Sequence, residues 1–261
     1  MKKFLLIFLL LTFIKSVFAD DKFESSYIDD VVGDAPAGVT VSSAGIAFEE
    51  VQNGAQSYVY FSQTLANDIY YEARLYGKYN YLSQNPLVNV PVSNIKNPPG
   101  FGGSAFVGYN FHPTENFDVT PYLRFNYLNN MAVVYEDSNG NFMNSTGYAE
   151  MLGVRLAFKV IKDFTPTFDF RYGFQQVKVT GQMDSNYTTT TGTINQSVSA
   201  VIMGFSYKVN QTWAISPYYE FITQSNSPDS TASAPYNEGG FNISSLTATL
   251  QQVGIKVGAF W

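Results

Sequence analysis

Apolar and polar residues alternate one by one along much of the chain from residue 69 onward. In the clearest case, residues 164–174, aromatic residues and one proline occupy every second position: Phe164, Pro166, Phe168, Phe170, Tyr172 and Phe174. Because successive side chains of a β-strand point to opposite faces, this pattern predicts strands with one apolar and one polar face.

The same alternation recurs in segments that predict eight strands: 69–81, 101–111, 117–127, 148–160, 164–174, 199–207, 213–221 and 245–261. Short connectors near 112–116, 161–164 and 208–212 take turns with long ones near 83–100, 131–145, 181–194 and 227–243. This arrangement is typical of membrane barrels with tight turns at one end and long loops at the other. We therefore predict an all-β fold, a transmembrane antiparallel up-and-down β-barrel of eight strands within residues 68–261.

Residues 20–67 are harder to interpret. They contain many acidic residues and two strand-like pieces, 39–48 and 58–64, on either side of a predicted Asn53-Gly54 turn. Neither piece has a clean apolar row. We predict an acidic periplasmic or lumen-capping segment, with a ten-stranded barrel that includes this hairpin as the alternative.

Residues 1–19 have the form of a secretory signal. Lys2 and Lys3 precede an apolar run from Phe4 to Ile14, and Ala19 ends a small-residue cleavage pattern. The run is too short to cross a bilayer as a helix. We expect a cleaved signal peptide and a mature chain that starts at Asp20.

The final segment is an apolar strand with an aromatic end. Its apolar face holds Val253, Ile255, Val257, Ala259 and Trp261. This strand, together with the segment 116–122, resembles the small bacterial outer-membrane β-barrel superfamily, which includes the OmpA transmembrane domain and the opacity-type and OmpX-like surface proteins. The resemblance implies a place in the outer membrane of a Gram-negative bacterium, in contact with its lipid. It also implies that these five residues are an assembly signal for the barrel-insertion machinery. Trp261 in place of phenylalanine and Lys256 in place of glycine depart from the usual pattern.

Composition narrows the function classes. The chain has no cysteine, 16% aromatic and 14% charged residues, and a formal net charge of −6. The absence of cysteine excludes disulfides and thiolate metal sites. The acidic balance argues against nucleic-acid binding, which requires a basic surface.

The polar faces of the predicted strands, which point into the barrel, carry most of the charged residues in these strands. They form a predicted lumen charge network: Glu72, Arg74, Lys78, Asp118, Arg124, Arg155, Lys159, Asp169, Arg171, Glu220 and Lys256. The interior of an eight-stranded barrel is just wide enough to be filled by side chains. The network therefore predicts either a paired ionic plug or, because bases outnumber acids, a narrow path that favours anions.

Catalysis has little support in the sequence. The only histidine, His112, precedes Pro113 in a predicted short turn without a nearby serine and acid partner, and we interpret it as structural. Asp137 begins a segment that resembles a calcium loop but lacks the glycine at the sixth position and the closing glutamate, so we interpret it as a turn. We expect no enzyme, no metal and no cofactor.

Function then falls on the long loops, because binding residues concentrate on loops held by a rigid scaffold. We predict a structural or adhesive surface protein whose outer loops contact a host or envelope protein. The alternative is a porin-like channel for small solutes with a basic lumen.

Overall fold

A computed structural model of the protein describes residues 40–51, 54–80, 95–96, 99–129, 135–137, 142–161, 163–182, 190–226 and 248–261. The predicted signal peptide, the acidic residues before Thr40 and most of the long connectors lie outside the described residues. Within the described residues, no helix is long and apolar enough to cross a membrane.

The described chain is built from antiparallel strands. They are β1 (Val41–Val51), β2 (Gly54–Thr64), β3 (Ile69–Asn80), β4 (Ile95–Lys96), β5 (Gly100–Tyr109), β6 (Phe111–Thr114), β7 (Phe117–Asn129), β8 (Tyr135–Asp137), β9 (Phe142–Phe158), β10 (Phe164–Gln182), β11 (Thr190–Lys208), β12 (Trp213–Asn226) and β13 (Ala248–Phe260). Ten of them form a closed ring in the order β1, β2, β3, β5, β7, β9, β10, β11, β12, β13, and β13 pairs with β1. The short strands β4, β6 and β8 add to this ring at its two ends.

The all-β antiparallel barrel is confirmed, but the predicted count of eight strands is wrong. β1 and β2 complete the ring, so the alternative with ten strands is the observed one, and the barrel begins at Val41 rather than near residue 68. β2 points Val59 and Phe61 outward, where they are 52% and 41% exposed, and buries Tyr58 and Tyr60 inside. Because both faces of β2 carry large apolar groups, its sequence lacks the contrast that identified the other strands.

The ring is staggered. A path that starts at Ser42 and follows the paired residues from strand to strand around the ring arrives at Thr249 on β13. The backbone of Ser42, however, is hydrogen-bonded to that of Trp261, so the strand register is offset by 12 residues over one full turn of the ring. Such a stagger tilts the strands by roughly 40° to the barrel axis. At this tilt, the row from Phe164 to Phe174 covers about 25 Å, which is the height of the apolar band of membrane barrels.

Polarity is inverted relative to a soluble protein. Leu75, Leu152 and Phe174 on the outer face are 65–68% exposed, whereas Glu72 and Asp118 on the inner face are 1–2% exposed. Exposed apolar surface of this extent is stable only against hydrocarbon, and a closed sheet satisfies all its backbone groups there. The barrel therefore has the surface of a transmembrane protein.

Above the apolar belt, which is the lipid-facing band of the outer face, apolar residues point inward and polar residues point outward. β10 continues past Phe174 to Gln182, about 20 Å beyond the belt at ~3.3 Å per residue and a ~40° tilt. Its inward Val177 and Val179 are 2–3% exposed, and Ile194 of β11 is 2% exposed. On the outer face, the side-chain amide of Gln176 donates to Asn195 (2.9 Å). This part of the sheet buries apolar groups and exposes polar ones, as an aqueous domain does. We call the parts of β9, β10 and β11 beyond the belt the outer extension. The strands that form it reach into the predicted long connectors at 131–145 and 181–194.

Candidate functional site: the charged lumen

The centre of the lumen holds an ion-pair cluster around Asp169. Its carboxylate lies 3.4 Å from Arg155 Nε and 3.2 Å from Arg171 Nε, and it accepts a hydrogen bond from the hydroxyl of Tyr122 (2.5 Å). Arg171 also reaches Glu220 Oε1, 3.3 Å away on β12. All five residues are at least nine-tenths buried. The cluster thus connects opposite parts of the wall through β7, β9, β10 and β12.

A second cluster surrounds Glu72. This carboxylate binds Arg74 and accepts a hydrogen bond from Tyr70, both on its own strand. Lys256 Nζ of β13 lies 3.4 Å from Glu72 and 3.8 Å from the ring centroid of Tyr60. An ammonium at this distance from an aromatic face is stabilised by the ring as well as by the carboxylate.

Arg74 and Arg124 both lie against an aromatic ring of the lumen. The guanidinium carbons of Arg74 and Arg124 lie 4.5 Å and 4.8 Å from the Phe106 ring centroid. Arg124 also donates to the hydroxyl of Tyr76 (3.1 Å). Each guanidinium group is thereby stabilised by an aromatic ring as well as by its polar partners.

One buried acid is absent from the predicted network. Glu49 of β1 is 6% exposed, receives a hydrogen bond from Gln56 (2.5 Å) and is bound by the Tyr218 hydroxyl. The predicted eight-stranded barrel excludes β1 and therefore does not include this residue. The alternation in the later strands assigns several tyrosines to the inner face, but the predicted network contains only charged residues.

A polar cluster joins three hairpins at the end of the barrel with the short turns. His112 Nδ1 lies 2.7 Å from Asp118 Oδ1, and His112 Nε2 lies 3.4 Å from Asp68 Oδ1. Lys159 Nζ lies 2.8 Å from Asp118 Oδ2. The interpretation of His112 as a residue without an acid partner is therefore wrong. It has two carboxylate partners, Asp118 of its own hairpin and Asp68 of the β2–β3 turn.

The structure places all the predicted lumen charges on the inner side of the wall but divides them by height. Asp118 and Lys159 lie at the short-turn end, Lys78 lies at the opposite rim, and the others lie between. Among the described residues, no group of three or more histidine, aspartate or glutamate side chains is arranged to hold a metal ion.

Four of the five apolar residues of the predicted assembly signal lie on the outer face of β13, and the fifth, Trp261, directly follows this strand. This strand pairs with β12 on one side and β1 on the other, so it closes the ring. Val253 and Ile255 are 47% and 41% exposed, and Trp261 is 66% exposed at the short-turn end.

The middle of the lumen is filled by paired charges and tyrosines. Buried charges are retained only where partners offset the loss of hydration, and each of the two central clusters supplies such partners from several strands. The ion pairs and hydrogen bonds link strands on different sides of the barrel, and these side chains are nearly inaccessible to water.

No protein-family model matches the sequence, and no curated protein matches it. Solved structures with a similar architecture include the outer-membrane protease OmpT of Escherichia coli (9% identity, 87% of this chain and 98% of that one, TM-score 0.45). A major outer membrane protein of Thermus thermophilus is 12% identical over 85% of this chain and 100% of that one, with a TM-score of 0.39. The attachment invasion locus protein Ail of Yersinia pestis is 9% identical over 87% of this chain and 100% of that one, with a TM-score of 0.33. These structures are outer-membrane β-barrels. At these identities and scores, no function or residue role is carried over to this chain.

Proposed function

We propose that this chain is a bacterial outer-membrane surface protein in which a closed barrel anchors an outer interaction surface. The observation that carries the proposal is the filled lumen: Arg155, Asp169 and Arg171 are 5–8% exposed at its centre. A path for solutes would require these charges to face water. Their burial in mutual ion pairs supports a scaffold rather than the porin-like channel.

The outer extension supports an interaction role at the end of the barrel opposite the short turns. A membrane anchor alone needs strands of about 9–11 residues, whereas β10 and β11 have 19 residues each. The extra length builds a rigid base with its own apolar interior. Such a base would hold the long outer loops in position for a host or envelope protein.

The polar cluster at the short-turn end supports a structural role for His112. The partners of His112 come from the β2–β3 turn and from β7, so its ring fastens hairpins that enclose the short-turn end. The proposal therefore assigns no catalytic step to this histidine. It includes export through a cleaved signal peptide, a place in the outer membrane, and recognition of β13 by the barrel-insertion machinery.

Two measurements on vesicles that contain the folded protein test the proposal. The first is single-channel recording in planar bilayers, in which we expect no steady conductance steps. The second is adhesion of the vesicles to cultured host cells, compared with a variant in which residues 177–194 are replaced by a two-residue Asn-Gly turn. We expect this variant to stay folded, with heat-modifiable gel mobility, and to lose adhesion.

The controls separate the two candidate functions. Lys178→Gln changes one exposed side chain of the outer extension and should retain adhesion. Steady channel steps from the unmodified protein would favour the channel, and full adhesion without residues 177–194 would contradict the surface role assigned to the outer extension.

A further inference from the structure

One arginine of the lumen has no acidic partner among the described residues. The chain has four arginines, and all of them lie on the inner side of the wall. Three of them contact a carboxylate: Arg74, Arg155 and Arg171. The fourth, Arg124 of β7, forms no ion pair with any described residue. Glu49, which also lies in the outer half of the lumen, is bound by Gln56 (2.5 Å) and by Tyr218 instead.

Neutral groups hold the Arg124 guanidinium in place. Its Nε donates to Asn126 Oδ1 (2.7 Å), and one terminal nitrogen donates to the hydroxyl of Tyr76 (3.1 Å). The Tyr76 hydroxyl is in turn 2.9 Å from that of Ser104. A guanidinium has five N–H groups, so these two hydrogen bonds leave three that donate to no described residue. The group is therefore oriented, but most of its donors are unused.

The exposure of the inward side chains of β7 shows from which end Arg124 is reached. Three of these side chains lie nearer the short turns and are 1–3% exposed: Asp118, Thr120 and Tyr122. Arg124 and Asn126, further along the strand, are partly exposed. The lumen is thus closed below Arg124, and solvent reaches its guanidinium from the end opposite the short turns. Lys78 adds a second positive charge at that rim.

The surroundings of the Arg124 side chain are of low polarity. Its paired residues on the two neighbouring strands are Phe106 of β5 and Met151 of β9, which are 3% and 9% exposed on the same inner face. An ionic contact in such surroundings is stronger than the same contact in bulk water. A counter-charge at Arg124 would therefore be held more firmly than at an arginine on the protein surface.

A guanidinium with unused N–H groups matches an oxyanion, because two parallel N–H···O hydrogen bonds fit two oxygens of a carboxylate or a phosphate. We propose that the outer half of the lumen binds one small oxyanion, a carboxylate or a phosphate, at the unused N–H groups of Arg124. The Tyr76 hydroxyl, which accepts from Arg124, can donate its own proton to the same anion. The site is blind, since the clusters around Asp169 and Glu72 fill the lumen below it. It goes beyond the proposed surface function and needs no path through the barrel.

Titration calorimetry on the folded barrel in a nonionic detergent tests this site. The probes are inorganic phosphate and gluconate, and glucose is the uncharged reference. The ionic strength is kept low and constant, because salt screens the contact. We expect saturable binding of phosphate, of gluconate or of both at one site per barrel, and no binding of glucose. Binding of one probe alone identifies the oxyanion that the site prefers.

Variants of Arg124 test the residue. Arg124→Gln removes the charge and should weaken binding by roughly tenfold or more. Arg124→Lys keeps the charge but not the planar set of donors, and it should weaken binding less than Arg124→Gln. The matched control is Lys178→Gln, which removes one positive charge from the exposed face of the outer extension and should leave the affinity unchanged. Heat-modifiable mobility in every variant establishes that the barrel is folded.

Absence of saturable binding of both anions to the unmodified barrel would overturn the proposal. Unchanged affinity in Arg124→Gln, an equal loss in Lys178→Gln, or binding of glucose as tight as that of the anions would also overturn it. None of these outcomes depends on cell adhesion or conductance, so failure here is distinguishable from failure of the proposed function.

Discussion

Tyr122 lies over Gly153, its paired residue on the neighbouring strand, so closely that a Cβ atom on the glycine would collide with the phenol ring. From this position the Tyr122 hydroxyl donates to Asp169 (2.5 Å) and accepts from Arg171 Nε (2.8 Å). Because Gly153 has no side chain, the Tyr122 ring can occupy this position, which places its hydroxyl at the centre of the ion-pair cluster. Tyr218 and Gly254 repeat the arrangement between β12 and β13.

Replacing Gly153 with valine should displace Tyr122 and break both of its hydrogen bonds. We expect the free energy of unfolding to fall by about 2–4 kcal/mol, from overpacking and from the disrupted buried polar groups. Urea titration of the barrel in lipid vesicles, followed by tryptophan fluorescence, measures this change. Gly77→Ala is the control, because its Cβ has open space, and a loss of similar size there would contradict the explanation.

Asp169→Asn should be among the most destabilising conservative changes in the lumen. It leaves the guanidinium groups of Arg155 and Arg171 buried without their shared anion, at a cost of about 3–5 kcal/mol. The same urea titration applies. Glu150→Gln, on the exposed outer face of β9, should change stability by less than about 0.5 kcal/mol.

A double variant identifies the source of the Asp169 effect. If the unpaired charges cause the loss, Arg155→Met combined with Asp169→Asn should be at least about 1 kcal/mol more stable than the sum of the single losses predicts. Strict additivity of the two losses would indicate that packing, and not charge, is responsible.

Leu123→Arg tests which side of the sheet faces lipid. Leu123 is 43% exposed near the middle of the belt, where a charge on the lipid side costs about 2–4 kcal/mol. Thr193→Arg, at an outward position of the outer extension above the belt, should cost less than about 1 kcal/mol. Both values come from refolding titrations in vesicles, and equal costs would refute the membrane position assigned to the belt.

Removing the central cluster should turn the closed barrel into a pore. In the triple variant Arg155→Ala, Asp169→Ala and Arg171→Ala, three large side chains leave the middle of the lumen. We expect steady single-channel steps in planar bilayers from the folded fraction, which heat-modifiable mobility identifies. The pair of outer-face changes Glu150→Ala and Lys178→Ala should produce no steps, and a silent triple variant would show that other groups close the lumen.

The sequence predicts correctly which residues of a strand point inward and which point outward when the two faces of the strand differ in polarity. In β10, the alternation of phenylalanine with Asp169 and Arg171 assigned both faces, and the observed exposures agree with it. In β2, Tyr58 and Tyr60 point inward while Val59 and Phe61 point outward, so both faces are apolar and the rule has no contrast to detect. The strand count was wrong for this reason.

Two further features depend on information that a single-strand pattern does not contain. In β10 the apolar residues of the belt point outward, whereas the apolar Val177 and Val179 beyond the belt point inward. The facing is reversed because water, and not lipid, surrounds the sheet outside the belt. The contact of His112 with Asp68 requires the relative position of two separate turns. Alternation alone predicts on which face of the sheet a charged residue lies. It does not predict the partner of that residue, because the partner depends on the strand register and on the stagger of the ring.

The backbone hydrogen bonds between Ser42 and Trp261 have a consequence for biogenesis. The first strand of the ring has its second neighbour only in the last one, so one edge of β1 stays unpaired until β13 is in place. Bare edges recruit other chains. Shortening β13 would therefore leave the edge of β1 open to pairing with another chain.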